Sequence, residues 1–169
     1  MKILGLCGSL RGNSSNSFIL NAAKNELNSH TWLDFNIAEL PFFDPDQQFS
    51  DSLPQKVKEV RYLAEQVDFI FVSTPEYAHG IPGILKNAFE WIFHEGTIKK
   101  PVFVVIGSAQ GENTKNQLIE ILTTMDFVIK EDQILLIKSA RTKINSTGQF
   151  LDQSTENEFR KFCALILKT

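Results

Sequence analysis

Three short stretches are apolar at nearly every position: Ile3-Leu4-Gly5-Leu6-Cys7, Phe69-Ile70-Phe71-Val72 and Val102-Phe103-Val104-Val105-Ile106. Unbroken runs of this length, rich in β-branched and aromatic residues, predict strands buried on both faces, as in a parallel sheet. Between them the period becomes helical. Leu53, Val57, Val60 and Ala64 share one face, as do Ile81, Ile84, Leu85, Ala88, Phe89 and Ile92. Leu118, Ile121, Leu122 and Met125 repeat the pattern, and Phe159, Phe162, Cys163 and Ile166 close the chain with it. A weaker helix runs from Phe18 to Leu27, with Ala22 and Ala23 facing inward.

Leu33, Phe35 and Ile37 alternate with Asp34 and Asn36, the pattern of a half-buried strand at a sheet edge. From Phe127 to Ile137 two apolar groups flank Lys130-Glu131-Asp132-Gln133, which predicts a last strand that is broken or bulged. Strand and helix therefore alternate strictly. With right-handed crossovers, that order gives an α/β, doubly wound, three-layer sandwich. No repeat, low-complexity tract or linker divides it, so residues 1–169 read as one domain.

Composition narrows the function. A chain of 169 residues buries about 70% of its extended surface, enough for a sizeable core without staples. The 17 Lys and Arg against 20 Asp and Glu leave a charge of −3, which argues against nucleic acid as a partner. The small groups Lys99-Lys100 and Lys138, Arg141, Lys143 read as solvated edges. Two cysteines make no disulfide framework and suit a reducing compartment. The apolar N-terminal run is too short for a secretory signal, and no stretch is long enough to span a membrane. A cytoplasmic location is the expectation, in which the sequons at Asn13 and Asn145 carry no weight.

In a doubly wound sheet, ligands bind beyond the carboxyl ends of the strands, where strand order reverses. After the first strand comes Gly8-Ser9-Leu10-Arg11-Gly12-Asn13-Ser14-Ser15-Asn16 and then a helix. Hydroxyls, amides and backbone N–H groups at a helix N-terminus favour an anion, and Arg11 adds a fork of donors suited to phosphate. The same residue types also make an ordinary polar turn with an N-cap. A Walker A loop is excluded, since no Gly-Lys-Ser/Thr is present. So is the dinucleotide fingerprint, because Gly5, Gly8 and Gly12 are wrongly spaced.

After the third strand comes Ser73-Thr74-Pro75-Glu76-Tyr77-Ala78-His79-Gly80-Ile81-Pro82-Gly83, a loop stiffened by proline whose backbone suits the edge of a planar ligand. Gly8-Ser9-Leu10-Arg11-x-x-Ser14-x-Asn16 together with Pro75-Glu76-Tyr77-x-x-Gly80-x-Pro82-Gly83-x-Leu85-Lys86-Asn87-Ala88-x-x-Trp91 resembles the NADPH-dependent FMN reductase family. That resemblance implies a flavodoxin-like sandwich with a five-stranded parallel sheet in the order 2-1-3-4-5. It implies FMN as cofactor and NADPH or NADH as reductant. Ser9, Arg11, Ser14, Ser15 and Asn16 would hold the phosphate, and Pro75, Glu76, Tyr77, His79 and Gly80 would line the ring. Ser108 and Gly111, in the loop Gly107-Ser108-Ala109-Gln110-Gly111-Glu112, would bind the far side of the ring. Family members commonly carry a pair of glycines further along that loop; this chain has Glu112-Asn113-Thr114 instead.

In such an enzyme the flavin carries the chemistry, so no protein acid, base or nucleophile is singled out as catalytic, and no metal site is expected. The expected acceptor is a small molecule: a quinone, an azo compound, a metal oxyanion or free flavin. Two other functions fit the fold: a flavodoxin-type electron carrier, and a non-catalytic interaction protein that has lost the flavin. The resemblance also implies a homodimer or homotetramer. Phe42 and Phe43, in Leu40-Pro41-Phe42-Phe43-Asp44-Pro45, either cover a subunit contact or tuck onto the domain's own core.

Overall fold

In a computed structural model, which describes residues 1–168, strands β1 (Lys2–Cys7), β2 (Thr31–Asp34), β3 (Phe69–Thr74), β4 (Val102–Ser108) and β5 (Ile134–Lys138) form one sheet. Every neighbouring pair is parallel and the order is β2-β1-β3-β4-β5. Five helices connect and cover them: α1 (Ser15–Glu26), α2 (Gln55–Gln66), α3 (Gly83–Ile92), α4 (Glu112–Thr124) and α5 (Gln153–Ile166).

The central strands lack hydrophobic alternation because each of their faces has its own core. Leu4, Leu6, Ile70, Val72, Val102, Val104 and Ile106 pack against α2, α3 and α4. Ile3, Phe69, Phe71, Phe103 and Val105 point the other way, onto α1 and α5. That second core is aromatic: Phe71 and Phe103 both meet Phe162 edge-on, and Phe103 also meets Phe69. Among the described residues no helix is long and apolar enough to cross a membrane.

The edge strand begins and ends earlier than its alternation suggests. Leu33, Phe35 and Ile37 do pack on one face, but pairing with β1 stops at Asp34, and Ile37 opens a 3-10 turn capped by the Asn36 side chain. The last strand is broken as expected. Val128 makes a lone parallel bridge to Pro101, a 3-10 turn occupies Glu131–Gln133, and the ladder resumes at Ile134. Phe43 tucks onto the domain's own core, meeting the buried Trp91 ring edge-on at 5.0 Å, whereas Phe42 does not and is 95% exposed.

The chain leaves β1 for the edge strand β2 and returns to β3 on the opposite side. The loops after β1 and β3 therefore diverge around a crevice at the strand ends.

Candidate functional site

A cavity of about 370 Å³ opens at the carboxyl ends of the strands. Four loops line it: residues from Ser9 to Asn16 after β1, Pro75, Glu76 and Tyr77 after β3, Gly107, Ser108 and Ala109 after β4, and residues 139–142 after β5.

The first loop is held by its own short side chains. Gly8 is needed for close approach: a Cβ there would lie 2.9 Å from Thr74 Cβ, while its N–H donates to the Ser73 carbonyl. Ser14 caps α1, its hydroxyl accepting from the Asn16 N–H at 3.2 Å. The Asn16 amide is buried and spent within the protein. Its Oδ1 accepts from Gly107 N–H and Ser73 Oγ, both at 3.1 Å, and its Nδ2 donates to the Gly107 carbonyl at 2.9 Å. The β3–β4 ladder ends at Thr74–Ile106, so the amide supplies Gly107 with the partner that a next residue of β3 would have given. Ser14, Ser15 and Asn16, at the start of α1, line the cavity, and the first-turn N–H groups of a helix have no helical carbonyl to reach.

The second loop is tied on both sides. The Tyr77 hydroxyl lies 3.2 Å from Ser9 Oγ, which fastens it to the first loop. Tyr77 and Gly80 exchange backbone hydrogen bonds around Ala78 and His79, whose φ angles of 49° and 59° make a tight left-handed hairpin turn. Gln117 on α4 clamps that hairpin, accepting from the Ile81 N–H and donating to the His79 carbonyl. Glu76 borders the cavity but is not solvated. Its carboxylate, 6% exposed, accepts from the Thr114 N–H at 3.1 Å. It thus caps α4 from a distant loop, where a negative charge opposes the positive helix end. The Glu112-Asn113-Thr114 segment is the first turn of that helix, which begins after Gly111 in the left-handed region at φ 108°.

Nine of the sequence-predicted residues converge on the cavity: Ser9, Arg11, Ser14, Ser15, Asn16, Pro75, Glu76, Tyr77 and Ser108. Three lie outside its lining. The His79 side chain is 83% exposed at the hairpin tip, Gly80 packs against Gln117, and Gly111 sits beneath the start of α4, facing Leu136 and Ile106. Ser139, Arg141 and Thr142 were missed. The signal was available, because the loop after every parallel strand opens on the same edge, but the broken pattern of β5 hid where that strand ends.

The electrostatics favour an anion. Arg11 and Arg141 are both exposed, and neither has an acidic partner among the described residues. The lining holds a single carboxylate, that of Glu76, and it is occupied by α4. Burial pushes the Cys7 thiol up, opposed in part by the Ser9 backbone, so this cysteine at the end of β1 stays a thiol at neutral pH.

A family model described as NADPH-dependent FMN reductase matches residues 1–142. An NAD(P)H:quinone oxidoreductase of Solanum tuberosum is 29% identical, covering 95% of this chain and 88% of its own length. A quinone reductase of Escherichia coli K12 is 27% identical over 92% of this chain and 87% of its own. In fold the chain is similar to FerB, a flavoenzyme NAD(P)H:(acceptor) oxidoreductase of Paracoccus denitrificans. That likeness has TM-score 0.87 and 21% identity, and it covers 99% of this chain and 95% of the other.

Proposed function

The chain belongs to the NADPH-dependent FMN reductase family, an oxidoreductase group using FMN and NAD(P)H, and from that premise we propose that it is a single-domain enzyme whose acceptor is a small quinone. The observation that carries the site assignment is the strand-end cavity, where a helix N-terminus and two arginines without acidic partners among the described residues meet a tight hairpin. FMN has a dianionic tail and a flat ring, and the residues present fit both ends. The first turn of α1, Arg11, Ser9, Ser14 and Ser15 would hold the phosphate, with Asn16 holding the turn in place. Pro75, Glu76, Tyr77 and Ser108 line the cavity, and they would hold the ring, the first three through their backbone. His79 and Gly80 shape the hairpin that supports this platform, and Gly111 shapes the start of α4.

FMN, when bound, supplies the hydride chemistry, accepting from NADPH or NADH and passing reducing equivalents on. The protein's part is binding, orientation and exclusion of water. No acid or base is required of Glu76, whose carboxylate is held by Thr114, nor a thiolate of Cys7. A quinone acceptor is supported by the relatives, which are named as an NAD(P)H:quinone oxidoreductase and a quinone reductase. Free thiols at Cys7 and Cys163 suit a cytoplasmic setting.

The test is spectroscopic. Protein loaded with FMN is expected to bleach under NADPH or NADH without air and to regain its visible band when benzoquinone is added. A bound flavin that neither nucleotide reduces would instead make the protein an electron carrier.

The placement of Phe42 supports a homodimer. The Pro41 carbonyl accepts from both Asn87 Nδ2 and Trp91 Nε1 at 2.9 Å, and Phe43 N–H donates to Asn87 Oδ1 at 2.7 Å. This anchoring presents the Phe42 ring rigidly outward, which suits a subunit contact. Light scattering at micromolar concentration is expected to give twice the 19.1 kDa chain mass, and Phe42→Asp is expected to give the monomer. A monomeric parent protein would remove the assembly from this account.

A further inference from the structure

We propose that Arg141, on the 3-10 turn after β5, is a second cationic residue of the phosphate subsite and makes the protein discriminate FMN from riboflavin. The inference rests on the FMN reading above and assigns a residue that neither sequence motif contains. Residues 139–142 line the same cavity as the first turn of α1. The connection is short: a Cβ placed on Gly107 would lie 2.7 Å from Asn16 Oδ1 and 3.3 Å from Ala140 Cβ. The turn carrying Arg141 therefore sits beside the phosphate end of the crevice and is separated from α1 only by the end of β4.

The surrounding charges single Arg141 out. It belongs to a run of three cations, Lys138, Arg141 and Lys143, of which the two lysines have acids. Lys138 Nζ lies 3.0 Å from Glu112 Oε1, and Lys143 acts electrostatically on Asp152. Arg141 has no acid, hydroxyl or carbonyl partner among the described residues. Its turn is nonetheless fixed. Ala140 is buried, the Thr142 and Lys143 N–H groups close on Ser139 and Ala140, and Ser139 holds a φ of 54°. A non-glycine residue at positive φ is strained and persists where neighbouring structure enforces it. A fixed turn presenting an unpaired guanidinium to an anion-binding cavity matches the bidentate geometry that arginine offers phosphate oxygens.

The experiment titrates apoprotein with FMN and, separately, with riboflavin, following the visible spectrum of the parent, Arg141→Gln, Arg141→Lys and Lys143→Gln. Arg141→Gln is expected to bind FMN about tenfold more weakly, the loss of a charged hydrogen bond, with riboflavin affinity unchanged. Arg141→Lys is expected to fall between. Lys143→Gln is expected to match the parent, and thermal melts should coincide because Arg141 holds nothing in the fold. Equal FMN affinity in Arg141→Gln and the parent would overturn the assignment while leaving the FMN reading intact. An equal loss in Lys143→Gln would also overturn it, replacing a defined contact by a diffuse field. A parent protein that binds neither flavin would overturn the FMN reading itself.

Discussion

Asn16→Leu is expected to lower the unfolding free energy by about 4 kcal/mol, because it leaves buried groups without hydrogen-bond partners at about 1–3 kcal/mol each. The groups are the Gly107 N–H, the Gly107 carbonyl and the Ser73 hydroxyl, all of which now use the one amide. Leucine has a comparable branched shape, so it fills the site and excludes the water that would otherwise rescue those groups. For a domain of this size the melting temperature should fall by about 12 °C. Thermal or urea unfolding reads the effect directly. A variant within 1 kcal/mol of the parent would mean that the amide does not tie α1 to the sheet. FMN binding should also weaken, since the turn that presents the α1 N-terminus is held by the same amide.

Arg11→Ala, five residues away in the same loop, is expected to do the opposite. The Arg11 side chain is exposed and has no partner among the described residues, so stability should stay within about 0.5 kcal/mol of the parent. FMN affinity should fall about a hundredfold, toward the upper end of what a charge-assisted contact to phosphate is worth. Riboflavin, which lacks the phosphate, should bind as before. The FMN preference should also become less sensitive to salt, because a surface charge has been removed from the interaction. Unchanged FMN affinity would take Arg11 out of the phosphate subsite and leave the helix N-terminus and Arg141 to account for it.

The two substitutions divide one motif into parts that look alike in the sequence. Ser9, Arg11, Ser14, Ser15 and Asn16 all offer donors at a helix start, and nothing in their spacing says which donors are already engaged. Asn16 became a structural residue because β3 ends one register position before Gly107, a fact of strand pairing between segments about 90 residues apart. Glu76 shows the same limit. As a loop acid it could have been solvated or aimed at a ligand, and only the arrival of the α4 N-terminus beside it made it a cap. Where the third loop departs from the family's glycines, Glu112-Asn113-Thr114 begins the helix that Glu76 caps, so the departure and the capping carboxylate form one arrangement.

What the sequence determined by itself was the layered sheet and the edge at which to look. Two-sided burial leaves continuous apolar runs, helical faces repeat every three to four residues, and strict alternation admits few topologies, so local chemistry was sufficient. It also located the loops after β1 and β3, because glycine, proline and capping residues carry their conformational constraints wherever they stand. Tertiary structure alone decided which polar groups were consumed and which stayed free. It turned Asn16 and Glu76 inward, left His79 at a hairpin tip, and brought Arg141 from beyond a broken strand to the mouth of the same cavity. The physical reason is that a hydrogen bond or charge is satisfied by whatever lies within a few ångströms, and that neighbour is set by packing between distant segments.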